Sequence, residues 1–152
     1  MVDHPTHRPD DAGRRVDPRG VRFSAAMTSA VLALGLATES PRVLLAQAII
    51  FGACAAFGLR ANPYGVAYRR TVQPRLSTPR AWTAEAPLRF AQGIGCAFAS
   101  AGALGYAIGF TTLGALATGC ALAAALLNAV FGVCVACYCY PALARIRHVL
   151  TA

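Results

Sequence analysis

Apolar residues along this chain gather into long blocks, with polar residues confined to the stretches between them. Phe23 to Thr38 and Val43 to Leu59 form two such blocks, of 16 and 17 residues, joined by the turn Glu39-Ser40-Pro41-Arg42. A connection that short makes the pair an antiparallel hairpin. From Phe90 to Ala144 there is no Asp, Glu, Lys, Arg or His over 55 residues. A helix in water needs a polar outer face, and this stretch offers none. As one helix it would run about 80 Å, against a hydrocarbon core of about 30 Å, so it predicts two crossings. A division near Gly109-Phe110-Thr111 gives helices over 90–108 and 112–139, with Pro141 closing the last.

The polar remainder completes the expected architecture. Residues 1–22, rich in Asp, Arg, Pro and His, read as a disordered tail that gains order only near Asp17-Pro18-Arg19-Gly20, and 145–152 as a second tail. The one long connection is 60–89. Within it Asn62-Pro63 is a helix start, with Asn as the cap and Pro in the first turn. Tyr64, Tyr68 and Val72 follow at four-residue spacing while Arg69 and Arg70 fall on another face. That pattern predicts a short interfacial helix with tyrosines at headgroup level and arginines toward phosphate. Pro74, Pro79 and Pro87 are expected to keep the rest extended. The fold class is therefore all-α: one polytopic membrane domain over 23–144, with four transmembrane helices near 23–38, 43–59, 90–108 and 112–139. The first two blocks are short for a span of about 17–25 residues, and Arg22 and Arg60 can snorkel to lengthen them.

Charge fixes the expected orientation. All 14 basic residues are Arg and the net charge is +8. These arginines flank the apolar blocks instead of lining one face, which argues for lipid headgroups as their partners and against nucleic acid. Five lie in the N-terminal tail, six in 60–89 and two after Pro141, whereas the first turn holds Arg42 alone and the turn near residue 110 has none. Four crossings put all three Arg-rich regions on one side, the cytoplasmic one by the positive-inside rule. The expected location is the cell membrane with both termini cytoplasmic. A cleaved secretory signal does not fit, because the first 22 residues carry four Asp.

Small residues suggest how the helices meet. Gly93, Ala97, Ala101, Gly105 and Gly109 recur every four residues on the third span, and Ala117, Ala121, Ala125 and Ala129 on the fourth. In lipid such ridges let backbones approach closely. The seam serves equally well within one chain or between copies in a homo-oligomer. Asn128 stands in mid-span, where an amide is costly unless hydrogen-bonded, so it is expected to face another helix or a polar cavity.

The chemical lead is Gly132-Val133-Cys134-Val135-Ala136-Cys137-Tyr138-Cys139-Tyr140. On a helix Cys134 and Cys137 lie about 60° apart, while Cys139 points about 140° away from Cys134. Cys54 and Cys96 fall near the same ends of their own spans, so four thiols at similar depth are candidates to meet. Thiolates serve thiol–disulfide exchange, sulfur carriage or soft-metal binding. Against this, a buried Cys also behaves as a small hydrophobe. An apolar setting and a helix C-terminal end both disfavour the thiolate, and the spans hold no His, Asp or Glu to act as base or further ligand. No cofactor is expected beyond a soft metal at these cysteines, no catalytic residue is assigned, and a packing role stays open.

Several segments taken together resemble a known family. They are Val16-Asp17-Pro18-Arg19-Gly20-Val21-Arg22-Phe23, Asn62-Pro63-Tyr64-Gly65, Arg69-Arg70 with Pro74-Arg75-Leu76, and Arg89-Phe90-Ala91-Gln92-Gly93. To these the C-terminal part adds Leu127-Asn128-Ala129, Phe131-Gly132, Cys134 and Cys137. The set resembles a bacterial, largely actinobacterial domain-of-unknown-function family of small integral membrane proteins, over roughly residues 16–147. The resemblance implies a four-helix membrane protein without an assigned activity, with cysteines matching Cys134 and Cys137 shared by its members. It also implies a cytoplasmic thioredoxin-like or sulfurtransferase partner, since such genes accompany the family. Where members carry an acidic residue after the second cysteine, this chain has Tyr138 and an extra Cys139, which removes support for a proton relay. The leading expectation is a membrane component of cytoplasm-facing thiol, sulfur or soft-metal handling. The alternative is a non-enzymatic packing or assembly subunit of a larger membrane complex.

Overall fold

The computed structural model describes residues 14–141 apart from Arg80. The first helix, α1 (Pro18–Ala37), starts five residues ahead of the apolar block at Phe23 because Asp17 caps it: the carboxylate accepts the Arg19 N–H at 2.9 Å and Pro18 occupies the first turn. Just before it Arg15–Val16 (β1) pairs antiparallel with Thr83–Ala84 (β2). Residues 14–22 are thus part of the fold and not of a disordered tail. The rest of that tail, 1–13, and the one expected over 145–152 lie outside the described residues.

The second helix, α2 (Pro41–Phe57), begins with Pro41 in its first turn and stops at Gly58, whose φ of 89° a side chain would resist. A 3₁₀ turn (Leu59–Ala61), the short helix α3 (Pro63–Thr71) and a second 3₁₀ turn (Gln73–Arg75) fill the connection. Pro74 therefore lies in a turn, not in extended chain. The next helix, α4 (Glu85–Ala107), starts five residues earlier than its uncharged stretch and takes Pro87 into its first turn, where no helical N–H is needed.

The largest departure from expectation concerns the last span. In place of one helix over 112–139, α5 (Thr111–Phe131) ends at Gly132, residues 132–134 are not helical, and the helix resumes over 135–141. Gly132 adopts the left-handed φ of 68° that ends many helices, and its N–H returns to the Asn128 carbonyl at 3.0 Å. The Arg22 guanidinium then donates to the carbonyls of Ala129 (3.3 Å) and Val130 (2.8 Å). Arg22 is engaged with helix α5 in this way, not extended along its own.

Two hairpins, α1–α2 and α4–α5, form a four-helix bundle in which α2 lies along α4 and α1 along α5, with α3 packed on α1. The hairpin turns close one end; the 58–84 connection, β1 and the 132–134 break occupy the other. The interior is unusual in being polar as well as apolar. Leu32, Leu44, Ala103 and Ala121 form one core cluster and Ala48, Phe51 and Ala99 a second. Gln47 and Thr118 are 0% exposed and Ser24, Thr28 and Ser29 are buried, yet Ile49 is 64%, Leu116 65% and Phe131 71% exposed. Among the described residues two helices, α1 and α5, are long and apolar enough to cross a membrane, while α2 is apolar but shorter.

Close helix approach uses only part of the expected ridge. A Cβ at Gly105 would lie 2.5 Å from the Gly114 nitrogen, and one at Gly102 2.5 Å from the Thr118 hydroxyl. Gly93 and Gly109 face open space, and Ala97 is exposed. Four-residue steps drift about 40° each, so the five ridge residues wind about 160° around the helix. The seam toward α2 and α5 instead mixes steps of four and three through Gly95, Ala99, Gly102 and Gly105. On α5, Ala117 and Ala121 are buried and Ala125 and Ala129 half-buried.

Candidate functional site

At the open end of the bundle polar side chains replace close packing. Asn62 caps α3, accepting from the N–H groups of Tyr64 (3.0 Å) and Gly65 (3.4 Å). The tyrosines of α3 turn inward and not toward an interface. The Tyr64 hydroxyl donates to Gln47 Oε1 at 2.8 Å, and that of Tyr68 to the Asp17 carboxylate at 3.1 Å. The Tyr68 ring also lies on Phe23, centroids 5.6 Å apart, and over Gly20. Burial pushes both phenols above their ordinary range, reinforced at Tyr68 by Asp17. Arg69 and Arg70 are both exposed, and Arg69 reaches the rim of the cavity described below.

Two charged residues tie the connection to the helices. Glu85 is buried, accepts the Leu59 N–H at 2.7 Å and has Arg14 at 3.9 Å. Arg89 donates twice to the Ala55 carbonyl (3.0 and 2.8 Å) and once to that of Ala56 (2.7 Å). Arg89 thus does for α2 what Arg22 does for α5, satisfying last-turn carbonyls that have no partner within their own helix.

Glu85, Asp17 and Tyr68 border a cavity of about 620 Å³. Its walls are mainly apolar, with Phe51, Ile94, Phe98 and Ala124 prominent, and Ser24, Thr28, Gln92 and Asn128 supply polar points. Asn128 is among the residues that line this mainly apolar space. A smaller space of about 380 Å³ lies beside Arg22 and Thr83. Cys134 and Asn128 line both spaces, whereas Cys137 lines only the smaller one.

Cys134 and Cys137 are joined as a disulfide, with Cα atoms 5.2 Å apart. The Cys137 N–H donates to the Cys134 carbonyl at 3.0 Å, which is the first turn of the helical segment 135–141. The pair is therefore not on the last turns of a long helix, and the objection that a helix C-terminal end suppresses the thiolate does not apply to it. The other candidates are elsewhere. Cys54 is fully buried within α2, and Cys96 is half-buried with its sulfur against Gly52. Cys120 lines the larger cavity, and Cys139 is exposed and free. The expected meeting of four thiols does not occur, and among the described residues no three His, Cys, Asp or Glu side chains converge as metal ligands. Two thiols alone are suited to forming and breaking one disulfide.

The break that carries the pair had a sequence signal, since Gly132 follows Phe131 as a glycine stop and a 28-residue helix would be about 42 Å long. The cavity had none, because it depends on how far α1, α4 and α5 splay. Fold and site together define a small helical-bundle protein bearing a Cys-x-x-Cys disulfide beside an interior cavity. The chain belongs to the family described as Domain of unknown function (DUF4395), whose model matches residues 16–145 and so includes the bundle and the cysteine pair. No curated protein and no solved structure matches the chain.

Proposed function

We propose that this is a four-span integral membrane protein, with α1, α2, α4 and α5 as the spans and both termini cytoplasmic, whose Cys134–Cys137 pair is a reversible dithiol–disulfide centre near the inner leaflet. Support for the membrane setting comes from the inverted distribution of side chains: a fold that buries Gln47 and Thr118 while exposing Ile49, Leu116 and Phe131 is matched to hydrocarbon, not to water. Arginine crowds the end that holds the connection, and Arg42 stands alone near the other, which gives the orientation. α3 then lies at the cytoplasmic interface, with exposed Arg70 toward headgroups.

The observation that carries the redox reading is the bonded Cys134–Cys137 pair in a break between helices, half-buried beside two cavities. A purely space-filling cysteine pair would need neither. Exchange proceeds by attack of a partner thiolate on one sulfur, release of the other as thiolate, and resolution of the mixed disulfide by the partner's second thiol. A thioredoxin-like dithiol protein is the cytoplasmic partner with the right chemistry, and a sulfurtransferase is the neighbouring possibility for persulfide chemistry. The rival assembly role draws less support, since Gly105, the ridge residue in closest helix contact, is occupied within the chain.

Alkylation in inverted membrane vesicles tests this reading. The pair should label only after dithiothreitol, Cys134→Ser should leave Cys137 labelled without reductant, and a glutathione titration should give a single two-electron midpoint. Resistance of both thiols to label after reduction would rule the centre out.

A further inference from the structure

We propose that the larger cavity binds a membrane quinone, which takes the electrons of the reduced Cys134–Cys137 pair; this rests on the redox reading above. A dithiol that turns over needs an electron acceptor as well as a donor, and the two cysteines are not equivalent in what they face. Cys134 borders both spaces and Cys137 only the smaller, outer one beside Arg22. The donor dithiol and the acceptor can therefore be served from different sides of one disulfide.

The chemistry of the larger space selects the acceptor. At about 620 Å³ it falls within the range that holds small organic ligands, roughly 300–1,000 Å³. Phe51 and Phe98 offer aromatic surface for a flat ring. Ser24, Thr28, Gln92 and Asn128 bring hydroxyl and amide donors, the groups that hydrogen-bond neutral carbonyl oxygens. Arg14, Arg15, Arg60 and Arg69 also line it, and all four are exposed, so the cationic part of its wall is the solvent-accessible part. A neutral ring carrying two carbonyls and an apolar tail, soluble in the surrounding bilayer, meets these conditions, whereas an anionic oxidant would leave its charge against the apolar walls.

The balance closes without further reactants. Two S–H bonds break, one S–S bond forms, and two electrons and two protons pass to the two carbonyl oxygens of the quinone, which leaves as quinol. The pair is reduced again when the partner's dithiol becomes a disulfide by exchange from the outer side.

The test uses the full chain in nanodiscs, reduced with dithiothreitol, freed of it, and mixed anaerobically with decylubiquinone or duroquinone, whose fully substituted rings do not add thiols. One quinol should form per pair, read by ultraviolet absorbance, and Cys134→Ser and Cys137→Ser should each abolish it. Filling the cavity with Ala124→Phe should lower the ratio of the quinone rate to the glutathione-disulfide rate about tenfold. Trp82 is the single tryptophan and lines the cavity, so wild-type fluorescence should quench saturably with either quinone, which decides the matter if the filled variant does not fold. Reoxidation by glutathione disulfide but not by quinone, an unchanged rate ratio, or quenching that stays linear would each overturn the quinone site while leaving the redox centre standing. Failure of both oxidants would remove the redox centre as well.

Discussion

The two halves of the bundle solve the same packing problem in opposite ways. Toward the hairpin turns, glycine lets backbones touch. A Cβ at Gly105 would strike the Gly114 backbone, one at Gly114 would meet the Tyr106 ring at 2.7 Å, and one at Gly35 would meet Leu44 at 2.6 Å. Toward the other end the helices part around the cavity, and contact passes to polar clamps: Arg22 on α5, Arg89 on α2, Glu85 on Leu59 and Tyr68 on Asp17. In the membrane setting proposed above, lipid would supply little drive for helix association, so each half would be held by short-range contact or by hydrogen bonds. The closed half holds the bundle together, and the open half leaves room for a ligand beside the cysteines.

Enlarging a closed-half glycine is the most severe way to break this contrast. Gly105→Leu has nowhere to place its side chain except into the Gly114 backbone, so a loss of about 3 kcal/mol or more is expected. Gly93→Leu, on the same helix but facing open space, should change stability by only about 0.5 kcal/mol. Thermal unfolding of both variants in detergent, followed by exposure of buried Cys54 to a thiol dye, makes the comparison. Similar losses for the two would mean that the closed half is not held by backbone contact.

The same contrast explains what could be read from the chain. The uncharged run from Phe90 and the cap at Asn62-Pro63 were legible because each is a local signal, a solvent preference in one case and a backbone N–H in need of an acceptor in the other. Asp17-Pro18 carries the same cap signature and starts α1 early, but that Arg22 and Arg89 find carbonyls on other helices is something no local pattern reveals. The ridge read on α4 was regular in sequence yet drifts around the helix, so its members part company in space. Cys134 and Cys137 were legible as a pair by spacing. Their position in a break rests on a single local signal, the glycine stop at Gly132, which the unbroken apolar run around it masks.

Removing an open-half clamp should have an intermediate effect. Glu85→Ala leaves the Leu59 N–H without its 2.7 Å acceptor and separates the connection from Arg14, for an expected loss of about 1–3 kcal/mol. The damage should be local. Hydrogen exchange at the Leu59 amide should accelerate strongly, while amides near Gly105 and Gly114 stay protected. Uniform acceleration along α4 and α5 would show that the halves do not behave as separate units.

The smallest effect sharpens the comparison through pH. Tyr68→Phe keeps the ring against Phe23 and Gly20 but loses the 3.1 Å hydrogen bond to Asp17, for about 0.5–1.5 kcal/mol. Burial first, and then Asp17, hold the Tyr68 hydroxyl above its ordinary 10.0, against a smaller opposing pull from Arg19. The folded chain therefore keeps a proton that the unfolded chain gives up. Its contribution is whole below about pH 10 and drains away as pH climbs through the folded value. Tyr64 is shifted in the same direction, so part of the alkaline loss should persist in the variant. Melting temperatures between about pH 8.5 and about pH 10.5 should thus fall less steeply in Tyr68→Phe than in the wild type. Identical slopes would mean that Tyr68 ionises as freely in the bundle as in water, and that the clamp between α3 and α1 is loose in solution.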